Sequence, residues 1–337
     1  MILLRDIIGH DEIIKTLKGA LSSGRVAHAY LFSGPPGVGK LTAALAFAGV
    51  LMCERPADGD GCGECSGCTR VARGIHPDVR VIRPEGATVK ISQVRELAAG
   101  IQFGPATGRW TVRIVDGADT MTAEAANSLL KTLEEPLPGV VMVLVTSRPR
   151  AILPTIISRC QHMYFQPLLK NQLVQGMIRI AGASENVELA AALAGGSLGK
   201  ALELLAGGLA MRDRACDLIR RLAGAGIEDT LALAGEVSAG KEEVIPLLEL
   251  MVLWFRDILL YNETGNGTHL INSDRKKEIE DLAGHYTTGR LLEIITEIEL
   301  AKGSLAASAN VQLALEALFL QLAGKSHDIA RLEEVVW

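Results

Sequence analysis

Ala29-Tyr30-Leu31-Phe32-Ser33-Gly34-Pro35-Pro36-Gly37-Val38-Gly39-Lys40-Leu41-Thr42 is the stretch on which the fold turns. An apolar run ends in Gly-x4-Gly-Lys and passes into a helix-forming segment, the context in which that spacing cradles phosphate. Glycines let the backbone curl so that several N–H groups point inward, and the helix N-terminus adds partial positive charge. The lysine reaches the terminal phosphates. Gly34, Gly37, Gly39 and Lys40 are therefore candidate nucleotide-binding residues.

The loop departs from a working ATPase in two places. A Ser or Thr hydroxyl should follow the lysine to ligate Mg²⁺, and Leu41 stands there. Thr42 comes one position late, about 100° round a helix. Further on, Arg113-Ile114-Val115-Asp116 has the apolar-strand-then-Asp form whose carboxylate supports the metal. ATPases of this construction usually carry Glu next, to polarise the attacking water; here it is Gly117. The next carboxylate, Asp119, should point elsewhere. Thr42 and Asp116 thus complete the set for a degenerate site, where ATP or ADP could sit without being hydrolysed.

Working outward, the first 167 residues alternate short apolar runs with amphipathic stretches, as βα units around a parallel sheet do. The predicted strands are Ala29–Phe32, Val79–Ile82, Thr111–Val115, Val140–Thr146 and Gln161–Phe165. Helices should begin near Gly39, Ser92 and Thr122; Thr122 caps the last and Pro136 stops it. Beyond Leu168 the strand signal vanishes. About three short helices follow in Lys170–Leu205, broken at Gly195-Gly196, and Gly207-Gly208 reads as a linker. The remainder is helical, with Ile245, Leu248, Val252, Phe255 and Leu259 as an expected apolar stripe. The domain reading is 1–167, 168–208 and 209–337.

Composition fits this picture. Of 337 residues, 48% are hydrophobic and 4% aromatic, as in a helix-rich protein with a sizeable core. A formal charge of −5 argues against a free-standing DNA-binding domain, so any DNA contact needs a local basic surface or partners. No run approaches the roughly 18 apolar residues of a membrane helix, and the short apolar start is not a secretory signal. The expected location is cytoplasmic, where thiols bind metal or sit in cores more often than they pair.

Four of the six cysteines, Cys53, Cys62, Cys65 and Cys68, form C-x8-C-x2-C-x2-C. Three ligands on a glycine-containing turn and one from a helix end can surround a structural Zn²⁺, leaving no open position for water. His76 is a weak substitute ligand; Cys160 and Cys216 read as core residues.

These features resemble the AAA+ clamp-loader family of bacterial DNA polymerase III across essentially the whole chain. The landmarks are His28-Ala29-Tyr30-Leu31-Phe32, the four-cysteine insertion (53–68), Ala126-Asn127-Ser128-Leu129-Leu130-Lys131-Thr132-Leu133-Glu134-Glu135-Pro136, and Ile156-Ile157-Ser158-Arg159-Cys160. The resemblance implies a nucleotide-binding-like domain, a small helical lid and a helical collar that oligomerises. It also implies partners: a tau/gamma motor subunit, a delta subunit and, through the assembly, a sliding clamp and primed DNA. Leu41, Gly117 and Gly199, the last at the place of a sensor Arg, favour the member that does not hydrolyse ATP. Arg159 would then project into a neighbour's ATP site as a trans arginine finger. Two other readings stand beside this one: a motor ATPase whose metal is held unusually by Thr42, and a zinc-containing DNA-binding module with Arg70 and Arg73 as its nearby cations.

Overall fold

In the computed structural model, which describes residues 2–100, 104–267, 269–307 and 309–324, the strands of the first region divide their side chains between two apolar layers. Tyr30, Phe32, Val112, Ile114, Val141 and Val143 face one, against Leu17, Ala44 and Phe47. Leu31, Val115, Met142 and Leu144 face the other, against Val94, Leu97, Leu129 and Leu133. Burial on both faces is why these strands read as continuous apolar runs rather than alternating ones.

The strands are β1 (Ala29–Ser33), β2 (Val79–Ile82), β3 (Thr111–Asp116), β4 (Val140–Thr146) and β5 (Gln161–Tyr164). They form one parallel sheet in the order β2-β3-β4-β1-β5. The first helices are α1 (Asp11–Ser23), α2 (Lys40–Leu51), α3 (Ser66–Ala72), α4 (Ile91–Ala99), α5 (Ala123–Glu134) and α6 (Pro154–Ile157). Thr122 caps α5 as expected: its Oγ1 accepts the Ala125 N–H at 3.2 Å, and the helix ends two residues before Pro136. The order sets β4 between β1 and β3, with Ser33 beside Thr146 and Asp116 beside Val145. Three strand C-termini therefore converge on one edge, where ligands of open α/β sheets bind.

Three short helices follow, α7 (Lys170–Ala181), α8 (Val187–Leu193) and α9 (Leu198–Glu203). Gly195 and Gly196 between the last two both have positive φ. The chain divides into two compact units between Leu202 and Glu203. Gly207-Gly208 is not an open linker. The backbone stays helical through Leu204–Gly208, kinks at Gly207 (φ 140°) and runs into α10 (Leu209–Gly224). Glycine there gives a kink instead of a break.

The second unit continues with α11 (Ile227–Ser238), α12 (Val244–Thr264), α13 (Lys276–Ala283), α14 (Thr288–Ala306) and α15 (Val311–Leu322). The stripe on α12 differs from the expected one. Leu248 and Phe255 are buried, but Ile245 is 37% exposed, and the buried line runs through Val244, Leu247, Met251, Trp254 and Ile258. Most of this helix is apolar, so neighbouring stripes fit a 3.6-residue period equally well; packing against α10, α13 and α14 decides between them. No helix among the described residues is long and apolar enough to cross a membrane.

Candidate functional site

The phosphate loop leaves the C-terminal end of β1, and its lysine is turned inward. Lys40 is buried and its Nζ donates to Gly34 O at 2.7 Å and Pro35 O at 2.5 Å. Burial lowers the Lys40 pKa, and the carboxylates of Asp116 and Asp119 oppose that shift. A cavity of about 690 Å³ opens beside the loop, lined by Lys40, Leu41, Thr42, Asp116, Gly117 and Thr146, with Ile7, Ile8, Leu198 and Leu202 on an apolar flank. That volume falls in the range of cofactor pockets.

The metal-supporting groups are poor. Leu41 brings a branched alkyl group to the cavity wall. The nearest cation to Asp116 is Arg83, at a long 3.4 Å. Gly117 sits at φ +76°, and a Cβ there would lie 3.1 Å from Pro84 Cγ, so a glutamate meets both backbone strain and a crowded neighbour. Asp119, expected from the sequence to point elsewhere, is held at the end of β4, near enough to Lys40 for its charge to act on it. Its carboxylate accepts from Thr146 Oγ1 (2.7 Å) and Arg148 Nε (2.9 Å). Burial alone would raise its pKa, but those donors hold it below the ordinary carboxylate value.

Gly199, read from the sequence as standing at the place of a sensor arginine, closes on the phosphate loop. Gly199 N–H donates to Gly37 O at 2.9 Å, and a Cβ on Gly199 would come within 3.3 Å of Gly37 Cα. Sequence reasoning saw the missing side chain but not this contact, which also involves Ser197. It missed two further residues. Thr146 ends an otherwise apolar strand between the loop and Asp116, a signal that could have been read. His10, at φ 58°, hydrogen-bonds Val38 O through Nε2 (3.0 Å) and packs edge-on to Phe165; nothing local announces that contact.

At the other end of α2, Cys53, Cys62, Cys65 and Cys68 bring their sulfurs within 4.8 Å of one another. Cys65 and Cys53 Sγ are 3.9 Å apart. A tetrahedron with Zn–S bonds of about 2.3 Å has edges near 3.8 Å, so the spacing fits. Backbone N–H groups of Cys62, Cys65 and Cys68 point at the sulfurs of Cys53, Cys62 and Cys65 at 3.3–3.5 Å, a second layer that steadies thiolates. The amides of Glu64 and Cys65 draw the Cys62 thiol down to about 6, whereas burial pushes Cys53 and Cys68 up. His76 stays outside this group; its Nδ1 accepts the Asp78 N–H at 3.1 Å. Cys216 is buried and Cys160 half-buried.

Arg159 follows the short helix α6, apart from both centres. Its Nη2 donates to Glu134 Oε1 at 2.9 Å and its Nη1 to Thr155 O at 2.8 Å, leaving the side chain 35% exposed.

A 5-1-4-3-2 parallel sheet, a phosphate loop on its first strand and a helical second unit define an AAA+-type P-loop protein. The comparisons with known proteins narrow the class. The family model for the DNA polymerase III delta subunit matches residues 9–169, and that for its C-terminal part matches residues 210–324. The delta′ subunit of Bacillus subtilis is 31% identical over 319 residues, covering 92% of this chain and 95% of that one. The delta′ subunit of Pseudomonas aeruginosa is 33% identical, covering 88% and 92%. The Bacillus subtilis tau subunit is 32% identical over 280 residues, 76% of this chain, which spans only half of tau's length (50%). A gamma subunit-related structure from Thermotoga maritima aligns at 18% identity with a TM-score of 0.48, over 92% of this chain and 98% of that one. The chain belongs to the DNA polymerase III delta′ family.

Proposed function

We propose that this chain works as a non-hydrolysing clamp-loader subunit: it holds a place in a ring with tau/gamma-type and delta subunits and helps open and load a sliding clamp on primed DNA in the cytoplasm. The observation that carries this reading is the state of the phosphate site. The loop keeps its glycines and lysine, while Leu41 replaces the metal-binding hydroxyl and Gly117 the polarising carboxylate. Such a site could hold ATP or ADP through Gly34, Gly37, Gly39 and Lys40, with Thr42 and Asp116 nearby, without activating water. Cys53, Cys62, Cys65 and Cys68 would hold a structural Zn²⁺, which supplies folding energy rather than chemistry.

Arg159 is the chain's contribution to catalysis elsewhere. It would meet the γ-phosphate in the next subunit's site and stabilise charge developing there, a role worth about 10³ to 10⁵ in rate at the site it serves. The test is a loader reconstituted with its motor and delta subunits, comparing wild type with Arg159→Ala after both complexes are shown to assemble. A clear but partial fall in DNA- and clamp-stimulated ATP hydrolysis is expected, because one site of several is affected. An unchanged rate removes the finger. Mg²⁺-dependent ATP turnover by the purified chain alone would instead make it a motor.

A further inference from the structure

The two stretches that resemble clamp loaders most specifically, residues 126–136 and 156–160, meet in one ion pair between Glu134 and Arg159. We infer that Glu134 is a positioning residue that orients Arg159 for its neighbour's nucleotide, an inference that rests on the finger reading above.

A guanidinium has five N–H donors in a rigid plane. Arg159 Nη1 gives two, to Thr155 O (2.8 Å) and Ser158 Oγ (3.3 Å), and Nη2 gives one to Glu134 Oε1 (2.9 Å). The Nε–H and the second Nη2–H have no partner among the described residues. Two donors are what a bidentate phosphate contact requires. The contacts to Thr155 and Ser158 come from the turn that carries Arg159 and move with it. Glu134 is the anchor from another element, so it fixes the guanidinium plane relative to the sheet.

The placement of Glu134 argues in the same direction. It is the last residue of α5, where the helix end carries partial negative charge and a carboxylate is unfavourable. Glu135 follows directly, adding like charge. Among the described residues, Arg159 is the one hydrogen-bond or ion-pair partner of the Glu134 side chain. An exposed pair adds little to stability, so holding the fold is a weak reason for two charges to be set here. Orienting a long cationic side chain whose free edge must meet an anion at a subunit boundary is a stronger one, since small misplacements of reacting groups are costly.

The reconstituted loader separates the cases. Wild type, Glu134→Ala, Glu134→Gln, Arg159→Ala and the double variant Glu134→Ala/Arg159→Ala are compared for stimulated kcat, KM for ATP and assembly by size-exclusion chromatography. Glu134→Ala is expected to remove at least about half of the turnover that Arg159→Ala removes, with KM unchanged. Glu134→Gln keeps an oxygen that accepts from Nη2 and should retain most of the activity. The double variant should be no slower than Arg159→Ala, because both act through one group. Full activity of Glu134→Ala beside a slowed Arg159→Ala overturns the inference alone, as do additive losses or an assembly defect in both Glu134 variants. Full activity of Arg159→Ala removes the finger itself, and this inference with it.

Discussion

One helix carries the two centres of this protein, and its ends have fared differently. At the N-terminal end of α2 the phosphate loop keeps its glycines and lysine but has Leu41 and Gly117 at the cavity; just past the C-terminal end, the thiol turn brings four cysteine sulfurs within 4.8 Å of one another. The difference lies in what each piece of backbone needs in order to fold. Lys40 satisfies itself on the loop's own carbonyls, Gly34 O and Pro35 O, and Gly199 closes on Gly37. The loop's own hydrogen bonds hold its backbone, and neither Leu41 nor Gly117 takes part in them. The turn through Cys53, Cys62, Cys65 and Cys68 gathers four sulfurs and buries few large apolar side chains. If it holds the Zn²⁺ proposed above, much of its order would come from that ion, because metal binding at such a turn is folding free energy.

The sharpest way to break that contrast is to remove a ligand. Cys65→Ser should abolish stoichiometric zinc and open residues 53–68 to proteolysis, the largest effect expected anywhere in the chain. Structural zinc supplies about 10–16 kcal/mol of apparent binding energy in small zinc modules. Zinc content after dialysis and limited proteolysis measure it. A Cys65→Ser protein with full zinc and an intact turn would show that the cluster does not depend on its fourth thiolate.

A smaller effect is expected at Asp60, which ties the same insertion to the N-terminal segment. Its carboxylate accepts N–H groups of Leu4 (3.2 Å), Arg5 (2.9 Å) and Gly61 (2.8 Å) and pairs with Lys18 at 3.1 Å. Asp60→Ala leaves buried donors unsatisfied and should cost about 1–3 kcal/mol, read as a lower denaturant midpoint. Burial alone would raise the Asp60 pKa, but the Gly61 and Arg5 amides and Lys18 outweigh it and hold it below 3.8. A depressed carboxylate pKa contributes stability that is fully present above 3.8 and lost as pH falls below it. Wild type should therefore lose its advantage over Asp60→Ala in acid, between 3.8 and the folded-state value. A pH-independent gap between the two proteins would separate the anchoring from the charge.

How far the sequence could be read follows the same division between local and tertiary causes. The five strands were legible to within a residue at their ends, most plainly β1, β3 and β4, where two-sided burial leaves largely apolar runs with polar breaks. Thr122 was legible because a cap is a local device. The thiol spacing announced a cluster, and the four sulfurs do come together. Arg113 was not legible in its role. It sits on β3 with its guanidinium buried among the carbonyls of Leu97, Asp78, Val112 and Gly100, all but the Val112 contact brought from outside the strand by the fold. The Ser197–Gly199 closure on Gly37 and the buried stripe of α12 were hidden for the same reason.

The smallest expected effects test whether the phosphate site is a relic or a motor one step short. Leu41→Thr returns a hydroxyl to the cavity wall beside Asp116. It should tighten Mg²⁺-dependent ADP binding by less than about tenfold, under ~1.4 kcal/mol, with no turnover. Calorimetric titration with and without Mg²⁺ measures the first and a phosphate-release assay the second. Adding Gly117→Glu should not supply activity, because the residue would be held at φ +76° with its Cβ 3.1 Å from Pro84 Cγ. That strain should cost about 1–3 kcal/mol and appear as a lower Tm. Turnover in Leu41→Thr alone would break the contrast between the two ends of α2, since the loop would then have kept its chemistry and lost one hydroxyl.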